Sequence, residues 1–384
     1  MILSLISYAI VGLFMYLFGD WAAQQDRFFL HEKHCHPRFW SAPIVLSIGL
    51  FTLFYGMRAS NTGVDTAMYV KFYEQFCHTG TFGAEKEPLY TILMAVLSFF
   101  NAPTWIYLGS FGFLMITFVY LAVKNERYLL PYMGAFIVLG PIFLFWANGM
   151  RQCLVGCVFI WAIKFIRERK MWHYLSVIAI CYFMHKSAVI LIPFYWILQL
   201  RLYPQNGVIG AVIVLLCLAI GSSPTWLKSL NILEDLLYTI GYEGYSESIE
   251  TLTSGSREVA FGPSRLGILI RDIWIIMVIP KIIKKYDRHG FYRNFASLFF
   301  MGACLYNLFV NTSHIFLRPV EYFTATSVIM APLVLYILIK EHKHIPSTIY
   351  ACLLYFLSFY STVKAYINGL GDLDHSVYNF FFLQ

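Results

Sequence analysis

Charge is what this sequence has least of. Of 384 residues only 13% are Asp, Glu, Lys or Arg, whereas 59% are hydrophobic and 18% aromatic. Soluble domains carry about 25% charge, so the chain lacks the side chains that wet a water-soluble surface. Mean hydropathy is +0.64, which agrees. Cysteine is also sparse. Six of eight, Cys153, Cys157, Cys181, Cys217, Cys304 and Cys352, fall inside apolar runs. No paired set shares a loop, which excludes a disulfide framework. Cys153 and Cys157 share a helix face and read as packing residues.

The motif absences exclude function classes. No Asp-x-Asp pair or His-Cys cluster suggests a metal. No P-loop or dinucleotide fingerprint is present, and no serine elbow. ATP-driven transport, cofactor chemistry and serine hydrolysis are unsupported, and neither metal nor cofactor is expected. The net charge of +7 resides in short loops rather than on one face, so no nucleic-acid partner is expected.

What is present is a series of apolar blocks of about 15 to 20 residues, the length that spans a bilayer. They run roughly over 2–18, 42–56, 89–100, 104–123, 129–147, 151–166, 171–184, 187–200, 207–221, 266–283, 295–310, 320–339 and 347–364. The ~10-residue alternating strands of a barrel are missing. The expectation is an all-α polytopic membrane protein of about 11–13 transmembrane or half-membrane helices, one domain over 1–384 without soluble modules or repeats. The first apolar run starts at Ile2 with no basic n-region, so it reads as a retained helix rather than a cleaved signal.

Loop charge sets orientation. KFIRERK (164–170), KIIKKYDRHGFYR (281–293) and KEHK (340–343) are basic and should face the cytoplasm, with Arg27, Lys33, Arg38, Lys124 and Arg127. The long loops 57–88 and 222–264 should lie outside, the second with one short helix near WLKSLNILEDLLYTI. Loops of this length are usually functional or mobile. Both termini then lie outside. The run LYTILMAVLSFF is only about 18 Å long as a helix, so it should dip or tilt rather than cross.

The stretch CYFMHKSAVIL places His185 and Lys186 between two apolar pieces of about 20 Å each, shorter than the ~30 Å hydrocarbon layer. The turn should lie below the outer surface, in a depression open to it. Ionisable groups at membrane depth normally line a water-filled cavity. The bland alternative is an interfacial lysine beside a histidine satisfied by backbone.

Arg58, Arg151, Arg265, Arg271 and Arg318 fall at the same outer level. Arg58 and Arg265 could instead snorkel. Arg271 could pair with an acid of a neighbouring helix, its own neighbour Asp272 facing elsewhere. Arg151 and Arg318 sit at helix starts, where cation and helix N-terminus together suit an anion such as phosphate or pyrophosphate. Outside acids are fewer. Asp65 should share a helical face with Tyr69 and Phe72, and Glu87 precedes Pro88 at a helix entry. Either could act as a general base or merely cap its helix.

These residues resemble the EpsG/Wzy-type polysaccharide polymerases. The resemblance rests, in order, on GMRASNTGVDTAMYVKFYEQF with KEPLYTIL, ANGMRQCLVGCVFIWAIKF, CYFMHKSAVILIPFY and FLRPVEYFTATSVIMAPLVLY. The matching positions are Gly63, Asp65, Tyr69, Glu87, Pro88, Met150, Arg151, Gln152, His185, Ser187, Arg318 and Tyr322. Lys186 departs from the small residue usual in that turn, and 222–264 matches nothing.

The resemblance implies a GT-C-like, metal-independent membrane glycosyltransferase of the bacterial inner membrane, acting on its periplasmic face. It would join undecaprenyl-pyrophosphate-linked repeat units of O-antigen or exopolysaccharide, a step of lipopolysaccharide or capsule assembly. Donor and acceptor are lipid-linked glycans, with membrane lipid, a chain-length regulator and a flippase as partners. Asp65 or His185 would be the base, and Arg151 and Arg318 would stabilise the leaving diphosphate, since electrostatic stabilisation is often the largest catalytic contribution. Arg58, Tyr69, Glu87, Gln152, Lys186, Arg265, Arg271 and Tyr322 would bind diphosphate or glycan. Two alternatives stay open: an O-antigen ligase-like transferase, which would use similar arginines, and a lipid-linked oligosaccharide flippase, which would spread charge to both faces.

Overall fold

The computed structural model describes residues 1–80, 87–226, 262–287, 290–312 and 314–383. Residues 227–261, most of the second long loop, lie outside this set. Every described element is a helix, and among the described residues the only β-pairing is an isolated bridge between Arg58 and Phe380. Most backbone hydrogen bonding is thus closed within helices, as suits a chain embedded in lipid.

Helix α1 (Ile2–Lys33) shows why. Its buried residues include Ser4, Ser7, Gly12, Met15 and Gly19, whereas Ile6, Ile10, Leu13 and Leu17 are exposed. Small residues let this helix pack closely on its neighbours while large apolar side chains face outward, as a lipid solvent allows. Gly19 lets two backbones touch: a Cβ there would lie 2.5 Å from the Pro131 nitrogen. Three described helices are long and apolar enough to cross a membrane, Ile2–Lys33, Thr104–Ala122 and Phe316–Lys340. A fourth is the bent pair Arg127–Leu139 and Ile142–Asn148, whose halves meet at 58°. Pro141, which has no N–H to continue the helical ladder, sits at the break. The block expected over 129–147 is therefore kinked, and that over 347–364 is split into His344–Tyr355 and Leu357–Ile367. The piece 187–200 is broken into 3-10 and short α turns.

The described chain divides into two compact units, Met1–Tyr195 with Ala331–Gln384, and Trp196–Met330. In the first unit follow α2 (Ala42–Gly56), α3 (Thr66–Thr79), α4 (Pro88–Phe99), α5 (Thr104–Ala122), α6 (Leu130–Leu139), α7 (Ile142–Asn148), α8 (Met150–Arg167) and α9 (Met171–Met184). Helices α8 and α9 form an antiparallel pair, so Arg151 and His185 share one end. The basic turn 164–170 occupies the other, roughly 25 Å away at 1.5 Å per residue. At that basic end the buried Arg127 donates to Pro37 O at 2.8 Å, Arg38 O at 3.0 Å and Ser41 Oγ at 3.3 Å. It braces the turn between α1 and α2 as well as adding charge.

Helix α4 does not cross. Near its start the Tyr90 hydroxyl meets the Tyr107 hydroxyl of α5 at 2.8 Å. Just past its end Ala102 O accepts from Tyr73, whose ring stacks on Tyr107 at 4.4 Å. Both ends are thus linked to Tyr107, the first directly and the second through Tyr73 of α3.

The second unit is built on Gly207–Gly221, Pro263–Lys281, Phe291–Phe309 and His314–Thr324. Asn206 starts the first of these as a true cap, its Oδ1 accepting from Val208 N at 2.9 Å and Ile209 N at 3.3 Å.

Candidate functional site

Three helix ends of the first unit converge on one carboxylate. Glu87, immediately before α4, is buried and makes no capping bond. Its Oε2 instead accepts from the Arg151 guanidinium at the start of α8. Its Oε1 takes His185 Nδ1, just past α9, at 2.8 Å and the Lys186 amide at 3.4 Å. The carboxylate side chain is 9% exposed, against 19% for Arg151 and 20% for His185. The acid is therefore the floor, and the arginine and histidine form the accessible rim.

Local sequence explains the convergence. Pro88 at the first helical position fixes α4 to begin there. Gly149 alone separates α7 from α8, so α8 opens at Met150 and carries Arg151 in its first turn. Tyrosines sheathe the arginine: its guanidinium lies 4.9 Å from the Tyr90 ring centre and 5.8 Å from that of Tyr69, a cation–π setting.

The electrostatics follow. Burial pushes the Glu87 carboxyl up, but the His185 hydrogen bond, the Arg151 charge and the Lys186 amide outweigh it, holding the group below the ordinary glutamate range. An ionised carboxylate only accepts, so His185 donates to Glu87 through Nδ1, and Nε2 is the ring nitrogen not engaged by Glu87. The exposed Lys186 forms no ion pair with any described residue. Arg151 keeps a buried Nε with no hydrogen-bond partner. The site thus offers a base and two cationic donors around a buried acid.

A model of the EpsG family matches residues 41–381. The chain belongs to the EpsG family. Its coarse role is accordingly exopolysaccharide biosynthesis at the membrane. No curated protein and no solved structure matches.

The other EpsG-like motif residues have definite places. Gly63 has φ +88°, and a Cβ there would lie 2.8 Å from that of Ala147, so this turn needs glycine twice over. The following Val64 amide donates to Asn148 Oδ1 at 2.6 Å. Asp65 precedes α3 and makes no cap bond. The buried stripe of α3 is Thr66, Tyr69, Tyr73 and Phe76, and Asp65 and Phe72 beside Tyr69 are half-buried. The capping reading of both acids is thereby corrected: each begins a helix, and neither side chain caps it.

Arg58 is fully buried, 3.8 Å over the Tyr55 ring, and donates to Tyr55 O, to Thr66 Oγ1 at 3.3 Å and to Met150 Sδ at 3.0 Å. It braces the residue next to Arg151. Gln152 is buried one residue on.

The remaining cations belong to the second unit. Arg271 is buried and binds its own neighbour, Nε to Asp272 Oδ1 at 2.9 Å and Nη2 at 2.7 Å. That corrects the expectation that Asp272 faces elsewhere: the long arginine stem lets the guanidinium fold back onto the adjacent carboxylate. Arg265 donates to Asn311 Oδ1 at 3.3 Å. Arg318 is exposed and lies inside the helix His314–Thr324 rather than before a helix, and Tyr322 one turn on is buried.

Sequence reasoning missed the centrality of Glu87, the tyrosine sheath of Tyr90, Tyr107 and Tyr73, and the Asn148 brace. Tyr90 was visible three residues after Glu87, on the same helical face. Nothing in the sequence tied Tyr107 or Asn148 to the site.

Proposed function

We propose that this EpsG-family chain is a polymerase that transfers a glycan from a polyprenyl-diphosphate donor to a second lipid-linked repeat unit. The observation that carries the reading is Glu87 held between Arg151 and His185, with the Lys186 backbone amide on the same carboxylate oxygen as His185. His185 Nε2 takes the proton of the acceptor hydroxyl as its oxygen bonds to the donor's anomeric carbon. The anomeric C–O bond to diphosphate breaks, and the diphosphate leaves with the electron pair toward Lys186 and Arg151. Glu87 stabilises the imidazolium and holds its tautomer, the role a carboxylate plays behind any catalytic histidine. Asp65, one turn before Tyr69, contacts the glycan in this reading.

Sidedness has support in the first unit. The basic turn 164–170 and Arg127 occupy the end away from Glu87, so the positive-inside rule directs the site to the extracytoplasmic face. A deletion strain tests the reading on a polysaccharide gel. Accumulation of single repeat units, restored to a ladder by the wild-type chain and not by His185→Ala, supports a polymerase. Loss of even the single unit points to a ligase or flippase.

A further inference from the structure

In the second unit two thiols meet across a helix pair. Cys217 of Gly207–Gly221 and Cys304 of Phe291–Phe309 are free cysteines that hydrogen-bond to each other. Helix geometry accounts for the meeting. At Gly221 backbone packs on backbone: a Cβ there would lie 2.3 Å from Asn307 O and 2.5 Å from Leu308 O. Asn311, one turn further on, donates to Gly221 O at 3.5 Å. One turn earlier on each helix, Cys217 faces Cys304, so the two helices run parallel along one seam. Both thiols are half-buried, whereas Cys153, Cys157 and Cys181 are buried. The basic turn gives the side. Pro263–Lys281 ends in Lys281, followed by Lys284 and Lys285, and Phe291–Phe309 starts from that turn, Tyr292 N donating to Asp287 Oδ1 at 2.6 Å. The positive-inside rule sets this end in the cytoplasm. Phe309 lies about 27 Å from it, and both cysteines lie within about 8 Å of that far end.

Extracytoplasmic compartments are oxidising, whereas cytosolic thiols are kept reduced. We infer that Cys217 and Cys304 are a redox modification site, joined as a disulfide that staples these two helices on the extracytoplasmic side. A disulfide needs Cα atoms about 4.4–6.8 Å apart, a spacing that a seam closed on Gly221 allows one turn away. The oxidant is a disulfide, carried by a protein or a small thiol compound. One cysteine thiolate attacks its S–S bond, forming a mixed disulfide and releasing one thiol. The second cysteine thiolate then attacks the first cysteine's sulfur, the Cys217–Cys304 bond forms, and the other oxidant thiol leaves. Two electrons pass to the oxidant, and the two cysteine protons end on its thiols. The competing account is a pair of small apolar residues filling the seam, which leaves both thiols reduced. The inference stands apart from the transferase reading.

The test uses the purified full chain in detergent. After equilibration with oxidised glutathione, free thiols are alkylated and peptides are mapped without reduction. A linked pair of peptides holding Cys217 and Cys304 is expected, with alkylation of both residues about tenfold or more below that of the reduced chain. Cys304→Ser should leave Cys217 alkylated or glutathionylated, with no link. Adding dithiothreitol should lower the thermal midpoint of the oxidised chain and leave that of Cys217→Ala combined with Cys304→Ala unmoved. Chain treated with a membrane-permeant alkylating agent in intact cells, before extraction, should carry the same link. Full alkylation of both residues after glutathione treatment, glutathione adducts that do not resolve into the link, or a fully reduced pair in cells grown without reductant overturns the inference.

Discussion

Glu87 and His185 lie 98 residues apart in the chain, yet Oε1 and Nδ1 stand 2.8 Å apart, where one helix begins and another has just ended. The second carboxylate oxygen is held by Arg151. A buried acid with a histidine on one oxygen and an arginine on the other is a unit, and its members should fail together.

His185→Ala and Glu87→Gln should each slow elongation about 10²- to 10⁴-fold, the usual worth of general base catalysis. The double variant should be little worse than either alone, because residues acting as a unit are not additive. Initial rates with lipid-linked substrates check this. Multiplying losses would show the two residues acting separately.

Arg151→Ala should destabilise the protein as well as inactivate it, because it strands a buried carboxylate, a change that costs about 3–5 kcal/mol. Arg151→Met combined with Glu87→Gln removes both charges and should recover the thermal midpoint without recovering activity. A midpoint still depressed in the pair would mean that Arg151 supports the fold by some other contact.

Glu87 also sets a pH dependence. Its folded pKa is depressed, so its stabilising contribution is complete above the ordinary glutamate value and disappears as pH falls through the lower folded one. Thermal melts of wild type against Glu87→Gln should converge as pH drops below about 4.3, the unperturbed value, and diverge above it. Parallel curves across that window would mean that Glu87 gains nothing from its partners.

Much of this arrangement was legible in the sequence, and the limits are physical. Composition and loop charge gave the helical membrane fold, and block lengths placed 42–56, 171–184 and 207–221 at the observed helix bounds. The shortness of 89–100 already marked α4 as an element that does not cross. The motifs named Glu87, Arg151 and His185, and the break in the apolar pattern named Lys186. What they could not give was rank, because a Glu before Pro88 looks locally like a cap, and only the fold brings Arg151 and His185 to it. The bend at Pro141 and the break within 187–200 were hidden for a similar reason. Hydropathy records apolarity, not whether the backbone ladder continues.

The C-terminal strap was wholly invisible, since its partners lie more than 300 residues away. Ala59 N donates to Asn379 O at 2.7 Å, Gly63 N to His375 O at 2.8 Å and Thr62 Oγ1 to Val377 O at 3.1 Å. Tyr378 is buried and stacks on Phe54 at 4.2 Å. Tyr378→Ala should cost about 3–5 kcal/mol, as for other buried aromatics, and loosen the 57–65 turn. The expected readout is a lower melting midpoint together with faster proteolysis near Gly63. An unchanged midpoint would make the strap dispensable.

Gly63→Ala meets both a left-handed backbone and the Ala147 methyl. A left-handed residue with a Cβ costs roughly 1–2 kcal/mol, and overpacking adds about 1–3. Yield and melting midpoint should both fall. A stable, active Gly63→Ala protein would show that the turn can rearrange.

The most direct measurement is a single-round elongation reaction with the purified chain in detergent, one lipid-diphosphate glycan as donor and a second as acceptor. The account predicts a product one repeat unit longer, stoichiometric release of polyprenyl diphosphate, and a His185→Ala rate at least about 10²-fold lower. Wild-type rates from both His185→Ala and Glu87→Gln, or no product from the wild-type chain with both substrates bound, would contradict it.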